Sequence, residues 1–365
     1  MLTSKKDNLK TLIRSQGGVH LTIYLENRGR LLELKSQLRE ALEEAEEWLS
    51  SALTTEEKER FLEPIESLLT DPKIFKQMRG NIGVFRNQQS FRILNIPIDI
   101  EHSCQVATSF HVKPLLRWLQ GDREFLLLGF EKDAAHLYQG SLDSFKLVDT
   151  ILFPDIVSAN SAVSFGATFE WINTWLDELT KTSRPKLFVA GEPLLVQAFN
   201  QNLKYKNAVK TPVSARFAKS VAIELCQQIR KILKVESQKS IERALLEFKW
   251  AEEDNRAKKN IFQISRAVVK GKVRKLIVTD ELSIFGKIDL KTGGLAIHPF
   301  DLDHEDDCIL DDLAQMVLSQ GGEVIVAKRS EIPKGRPILA ILDDEGESLA
   351  KTEGRQKLES VLRPA

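Results

Sequence analysis

The apolar segment Phe125–Phe130 constrains the fold most, because a run of large apolar side chains with one glycine predicts a buried β-strand. A helix is predicted to end at Gly121 before this strand, and the polar pair Lys132-Asp133 predicts a tight turn after it. Residues Ala134–Tyr138 predict a second strand and residues Phe145–Phe153 a third. This part of the chain is therefore expected to build a β-sheet.

The length of 365 residues exceeds what one ordinary hydrophobic core supports, and it predicts two or three domains. Hydrophobic residues make up 42% of the chain and charged residues 28%, which is typical of a globular protein. Lys plus Arg and Asp plus Glu both number 52, so the formal net charge is zero. This balance excludes a wholly basic nucleic-acid-binding chain but allows a local basic surface.

Several features predict a cytoplasmic protein with no membrane partner. The chain has no run of about 18 apolar residues, which a membrane-spanning helix would need. Its first residues are polar and lack the apolar core of a signal peptide. Cys104, Cys226 and Cys308 are widely spaced and form no Cys-x-x-Cys pair, which argues against a disulfide framework and against a zinc site.

Residues 1–109 predict an N-terminal α+β domain. Alternating apolar and polar residues predict a strand over Val19–Leu25. Thr54 predicts the capped start of a helix, because Glu56 and Glu57 follow in its first turn. The other predicted elements are a helix over Arg30–Ser51 and strands over Asn81–Phe85 and Phe91–Ile96.

Residues 110–210 predict a central domain. After its three strands, a loop over Pro154–Thr168 precedes an amphipathic helix over Phe169–Leu179. A strand over Lys186–Ala190 and a helix over Leu194–Asn202 follow. The order βββ-loop-α-β-α is compatible with a ribonuclease-H-like sheet.

Residues 211–345 predict a C-terminal three-layer α/β domain with leading long helices, and residues 346–365 predict a polar tail. Thr211-Pro212 predicts a helix start, and helical sequence over Val213–Lys259 is expected to break around Val235–Ser237. The elements after it alternate: a helix over Ile261–Lys270, a strand over Val273–Val278, a hairpin across Lys291–Gly294, a helix over Asp307–Ser319, and strands over Glu323–Ala327 and Ile338–Leu342.

Three phrases in this order resemble bacterial relatives of the archaeal and eukaryotic peptide release factor and Pelota superfamily. They are the stretch Phe110–Gly140, the turn Gly191-Glu192-Pro193-Leu194, and the junction Ala267–Val273 followed by Gly321–Val326. The resemblance implies a ribonuclease-H-like central domain and a third domain akin to kink-turn RNA-binding proteins. It also implies action at the ribosomal A site, in release, in ribosome rescue and quality control, or in occupancy of idle ribosomes.

Hydrolytic members of that superfamily carry Gly-Gly-Gln on a central-domain loop, and this sequence contains no Gly-Gly-Gln. Two glycines would let the backbone approach the peptidyl ester, and the Gln N–H would stabilise the oxyanion. Gln16-Gly17-Gly18 and Gln320-Gly321-Gly322 have the reverse order and are interpreted as helix stops. The corresponding loop is interpreted mainly as a solvated connection, and its polar residues are the candidates for a diverged centre: Ser158, Asn160, Ser161 and Ser164.

A cationic cluster near the start of the third predicted domain is the candidate RNA-binding site. No acidic residue lies between its first and last members, and local positive charge is what phosphate binding requires. The alternative interpretation is a solvated helix end, where cations complement the helix dipole. The members are Lys258, Lys259, Arg266, Lys270, Lys272, Arg274 and Lys275.

Two other features are interpreted as structural. The acidic run around His304 suggests a divalent cation, but it directly precedes a helix, where carboxylates interact favourably with the dipole, and it lacks a calcium-loop glycine. Trp171 and Trp175 lie four residues apart, and we interpret both as core residues. The members of the run are Asp301, Asp303, His304, Glu305, Asp306, Asp307, Asp311 and Asp312.

The resemblance therefore implies a translation factor that binds the ribosome or tRNA, and it leaves open whether a translational GTPase is a further partner. No cofactor or metal is expected. The missing tripeptide favours a non-hydrolytic role, and whether the chain is an enzyme is left open. The alternative is a metal-dependent hydrolase or nuclease that uses the ribonuclease-H-like domain, where Asp133, Asp143 and Asp149 lie near the strands.

Overall fold

The fold is described from a computed structural model, and the description covers residues 11–71, 73–78, 80–121, 124–142, 144–153, 165–180, 184–209, 211–298 and 306–343. These residues form two compact units. The terminal unit contains the described residues up to Gln120 and from Ile241 onward, and the central unit contains those from Gly121 to Ser240. The three-domain division and its boundaries, residues 1–109, 110–210, 211–345 and 346–365, stay predictions.

The first part of the terminal unit is a sheet covered by helices. Its strand order is β3-β2-β1-β4, and all neighbours are antiparallel. Thr54 caps its second long helix as predicted, because its hydroxyl accepts the backbone N–H of Glu57 while the Glu57 carboxylate accepts that of Thr54. The elements are β1 Gln16–Leu25, α1 Leu31–Leu49, α2 Thr55–Thr70, α3 Lys73–Gln77, β2 Asn81–Asn87, β3 Phe91–Ile96, β4 Ser103–Ser109 and α4 Lys113–Gly121.

The central unit is built on a mixed sheet of order β7-β6-β5-β8, in which β5 and β8 are parallel. Strand β5 is buried along its whole length, as its apolar sequence predicts. Its alternate side chains belong to two separate apolar clusters. Leu126 and Leu128 lie in one cluster, and Phe125 and Leu127 lie in the other. The elements are β5 Phe125–Phe130, β6 Ala134–Gly140, β7 Phe145–Leu152, α5 Phe165–Leu179, β8 Lys186–Ala190, α6 Pro193–Asn202 and α7 Ala222–Glu253.

The remainder of the terminal unit begins within α7, at Ile241. It contains a sheet of order β14-β10-β15-β9 and a small antiparallel sheet of order β12-β11-β13. The elements are β9 Ala257–Lys258, α8 Ile261–Val269, β10 Val273–Val278, β11 Phe285–Ile288, β12 Leu295–Ile297, β13 Asp307–Cys308, α9 Ile309–Ser319, β14 Glu323–Val326 and β15 Ile338–Leu342. The fold thus mixes α/β and α+β architecture, and the predicted fold class is confirmed.

Two predictions about the first part of the third predicted domain are wrong. Thr211-Pro212 does not start a helix, because the backbone there follows β8 instead: the Val213 N–H donates to Val189 O, and Ser214 pairs with Ala190. Helix α7 begins only at Ala222, and it continues unbroken through Val235–Ser237. Among the described helices, none is long and apolar enough to span a bilayer.

Both Gln-Gly-Gly sequences have structural roles. Gly321 and Gly322 end α9, with N–H groups that donate to Leu318 O and Val317 O, and Gly321 has a φ of +88°. Gly17 and Gly18 both have positive φ and lie in β1, where the pairing with β4 changes register. The first sequence therefore begins β1, directly after helical residues that end at Arg14, and the second stops a helix as predicted.

Candidate nucleic-acid interface

Helix α8 and the turn after it carry the exposed part of the predicted cationic cluster. Asn260 caps the helix through its side-chain oxygen, which accepts the N–H groups of Phe262 and Gln263. Lys270 is the C-cap, and Gly271, at a φ of +62°, turns the chain into β10. Arg266, Lys270 and Lys272 are exposed, and within the described part of the chain none of them lies in an ion pair.

The turn between β11 and β12 lies directly on this helix. Gly293 has a φ of +72°, and a Cβ at this position would lie 2.5 Å from Arg266 Cα and 2.9 Å from its nitrogen. Only glycine fits this approach, so the turn and the middle of α8 are in van der Waals contact. Lys291, two residues before Gly293, is exposed in the same turn. We call Arg266, Lys270, Lys272 and Lys291 the α8 basic surface.

Three of the predicted cluster residues have carboxylate partners, and those of Arg274 and Lys275 are distant in sequence. Lys259 pairs with Glu252, and Arg274 Nη2 lies 3.4 Å from Glu247 Oε2. Lys275 is only 6% exposed, and its Nζ lies 2.8 Å from Glu247 Oε2 and 2.9 Å from Glu323 Oε2. These partners show that Lys275 is a structural residue, and we remove it from the candidate RNA-contacting set. Lys258 is half-buried in β9 opposite Ala340.

The Glu247 carboxylate lies between the cations of Arg274 and Lys275. Its partial burial acts to raise its pKa, but the hydrogen bond and charge of Lys275, with the charge of Arg274, lower the pKa overall. The carboxylate is therefore held ionised between two cations. This contact ties α7 to β10, close in sequence to the exposed α8 basic surface.

The described members of the acidic run are buried or half-buried and occupied by hydrogen bonds. The Asp307 carboxylate accepts hydrogen bonds from the hydroxyl and the backbone N–H of Thr108, and the distance from Thr108 N to Asp307 Oδ1 is 2.7 Å. Asp312 Oδ1 lies 3.2 Å from Ser109 Oγ. Asp306 Oδ2 lies 2.7 Å from His298 Nδ1. These contacts favour the structural interpretation, because Asp307 and Asp312 are anchored to β4 and Asp306 to His298. Asp301, Asp303, His304 and Glu305 lie outside the described residues.

Asp307 and Asp312 line a polar cavity of about 330 Å³ together with Thr108, Ser109 and Lys287. Burial raises the pKa of Asp312 well above its usual range, and the charges of Asp307 and Asp311 raise it further. Burial also raises the pKa of Asp307, although the Thr108 hydrogen bonds oppose the shift. The sequence identified both carboxylates as members of the acidic run, but it gave no signal of their contacts with β4, because Thr108 and Asp307 are 199 positions apart.

Trp171 on α5 corrects an expectation from the sequence. Trp175 is half-buried and packs against the core of the central unit, as predicted, but Trp171 is 52% exposed. Their indole rings stack at 6.3 Å between centroids with 3° between planes. The candidate loop residues Ser158, Asn160, Ser161 and Ser164, before this helix, lie outside the described residues.

No observation on the described residues favours the metal-dependent hydrolase. Asp133 is exposed in a turn, and Asp149, exposed on edge strand β7, accepts the N–H of Thr150 at 2.8 Å. Asp143 lies outside the described residues. Across the described part of the chain, no three His, Cys, Asp or Glu side chains come close enough together to hold a metal ion.

Comparison with known proteins gives structural likenesses only. No family model matches the chain, and no curated protein matches it in sequence. The match to the archaeal translation termination factor aRF1 covers 94% of this chain and 99% of that chain, with 14% identity and a TM-score of 0.26. The match to S. cerevisiae Dom34, a translation termination-like factor that interacts with Hbs1, covers 72% and 78%, with 14% identity and a TM-score of 0.40. A model of ribosome-bound archaeal Pelota and ABCE1 matches over 93% and 94%, with 12% identity and a TM-score of 0.43.

These structural neighbours are termination factors and Pelota-type proteins, the superfamily that the three sequence phrases resemble. At such identities and TM-scores, the likeness carries no argument about activity. Membership of this superfamily, and of its bacterial branch, stays a prediction.

Replacing Lys275 and Lys272 separately should distinguish the buried cation from an exposed one. Lys275→Ala leaves Glu247 and Glu323 without their shared partner and should cost about 2 kcal/mol of unfolding free energy. Lys272→Ala removes an exposed side chain and should change it by less than about 0.5 kcal/mol. Urea unfolding of both variants measures the difference, and equal stabilities would contradict the structural role of Lys275.

Asp312→Asn should stabilise the protein at pH 8, and the gain should shrink as the pH falls. The folded-state pKa of Asp312 is raised, so the folded protein takes up a proton at a pH where the unfolded chain is still ionised. The ionised carboxylate therefore costs stability above the folded pKa, and that cost disappears on protonation. We expect a gain on the order of 1 kcal/mol at pH 8.

Thermal unfolding at several pH values measures this effect. Asp133→Asn, in an exposed turn, is the control for loss of one carboxylate and should follow the wild type. A gain for Asp312→Asn that grows as the pH falls would contradict the assignment.

Proposed function

We propose that this chain is a cytoplasmic translation factor of the release factor and Pelota type, which engages the ribosome or tRNA through the α8 basic surface. Its role would be ribosome rescue, quality control or occupancy of idle ribosomes. The observation that carries the proposal is the exposure of Arg266, Lys270 and Lys272 in a chain with zero net charge. Cations without a carboxylate partner are available to phosphate groups.

The geometry of the surface supports a polyanionic ligand. Arg266 and Lys270 lie four residues apart on one side of α8, and Lys272 lies in the turn that connects this helix to β10. Lys291 is brought to the same helix by the Gly293 contact. Four cations from two elements can contact successive phosphates without base-specific recognition, which suits a structured RNA.

The proposed role is non-hydrolytic. The family chemistry needs Gly-Gly-Gln, which the sequence lacks, and its Gln-Gly-Gly sequences have the structural roles described above. A translational GTPase as a further partner remains an expectation from the resemblance, as does the bacterial origin.

Co-sedimentation with ribosomes across a salt series tests the binding surface. Contacts to about four phosphates should give a log–log salt slope near −3 to −4. The triple variant Arg266→Glu, Lys270→Glu and Lys272→Glu should lose most binding at low salt, because the reversed charges repel phosphate.

The matched control reverses the same charges elsewhere. Arg216→Glu, Lys231→Glu and Lys234→Glu alter one Arg and two Lys that are exposed in the central unit. This control should bind as the wild type does if the α8 basic surface is the site. Equal losses in the two triple variants would assign binding to overall charge and remove the proposed surface.

Release of labelled peptide from ribosomes that hold peptidyl-tRNA tests the absence of hydrolysis. We expect no release above the rate without added protein, because no Gln N–H is presented on a Gly-Gly backbone. Release that rises in proportion to the protein concentration would show a different catalytic group in the chain and overturn the non-hydrolytic role.

A further inference from the structure

Helix α5 carries an apolar ridge on its outer side that the proposed function does not use. Trp171, Trp175 and Leu179 follow each other at intervals of four, so they lie in one row along the helix. Trp171 is 52% exposed and Leu179 44%, although large apolar side chains are usually covered. The row spans about 12 Å at the rise of an α-helix. We call these three residues the α5 ridge.

The ridge is rigid at its tryptophan end. Trp175 packs against the core cluster of the central unit, which includes Phe169, Ile172 and Leu176. Its ring lies parallel to that of Trp171, with 3° between the planes. Trp171 is therefore held by a side chain that is itself anchored, so it presents an indole surface to solvent at little cost in side-chain entropy.

The charged residues that α5 itself carries are all acidic. Helix α5 contains Glu170, Asp177 and Glu178 and no Lys or Arg. Glu170 pairs with Lys204 at 3.2 Å, while Asp177 and Glu178 are exposed and, within the described part of the chain, form no ion pair. Glu178 is seven residues after Trp171, two helical turns along the same side.

We propose that the α5 ridge binds a cationic polypeptide segment of a partner protein, one that presents Arg or Lys beside apolar side chains. A guanidinium over the exposed Trp171 ring gains a cation–π contact, and Trp is the best ring for it. Glu178 pairs with a second cation, and Leu179 takes an apolar neighbour. RNA is the wrong ligand for this face, because its phosphates would meet the carboxylates of Asp177 and Glu178, which form no ion pair within the described part of the chain. This inference does not depend on the proposed ribosome-binding function.

Calorimetric titration with a synthetic peptide tests this inference on the full-length protein. The probe is an amidated helical peptide of about 15 residues with an Arg and Leu face, and its counterpart has Glu in place of Arg. We expect the Arg peptide alone to bind saturably. Trp171→Ala should weaken that binding about tenfold, and Glu178→Lys should weaken it similarly while allowing the Glu peptide to bind.

Trp250→Ala is the matched control, because Trp250 is 61% exposed on another helix next to Lys249. It should bind the Arg peptide as the wild type does. Circular dichroism and the melting temperature show whether each variant is folded, and Glu178→Lys gives the answer even if Trp171→Ala unfolds.

Three binding outcomes would overturn the inference. They are no binding of the Arg peptide by the wild type, equal binding by the wild type and the Glu178→Lys variant, and tighter binding of a single-stranded RNA oligonucleotide that Trp171→Ala removes. Self-association of the protein that Trp171→Ala abolishes would also overturn it, since the ridge would then bind a second copy of the chain.

Discussion

The terminal unit depends on the buried carboxylate of Asp311. It accepts the backbone N–H of Val112 at 3.0 Å and that of Lys113 at 2.7 Å, at the start of α4, and the side-chain amide of Gln315 at 2.8 Å. Burial and the resulting desolvation raise the pKa of Asp311 even though these donors and the Lys113 charge act in the opposite direction. A carboxylate in this position is costly unless its partners stay in place, so the contact demands that α4 and α9 keep their mutual arrangement.

Further contacts between the same two parts of the unit follow from that arrangement. The ammonium group of the fully buried Lys113 donates a hydrogen bond to Leu282 O at 2.7 Å. Arg117 Nε lies 2.9 Å from Asp280 Oδ2. The side-chain amide of Gln120 donates to Val326 O, and its oxygen accepts the Val326 N–H, so it pairs with this backbone as a neighbouring strand would. Because Val326 ends β14, which is parallel to β10, these contacts help to position the sheet from which α8 and its cations extend.

The sequence was sufficient where the determining forces are local. The apolar run of β5, the capping box at Thr54 and the glycine stop after α9 were predicted because period, capping and turn chemistry act over a few residues. Lys275 and the acidic run were harder, since their partners are Glu323 and Thr108, far away in the sequence. The prediction of a helix start at Thr211 was wrong for a related reason, because β8 provides hydrogen-bond acceptors that only the folded sheet brings near.

Zero net charge conceals two surfaces of opposite sign. Lys270 and Lys272 are exposed in the terminal unit, whereas Asp177 and Glu178 are exposed beside the tryptophans of the central unit. The Debye length at physiological salt is about 8 Å, so each surface attracts ligands by its local charge and not by the sum over the chain. If the α8 basic surface binds phosphates as we propose, a neutral chain keeps that site without the nonspecific polyanion binding of a basic chain, and its acidic surface repels the same phosphates. Composition alone therefore understates how strongly such a chain can discriminate between an RNA and a basic protein segment.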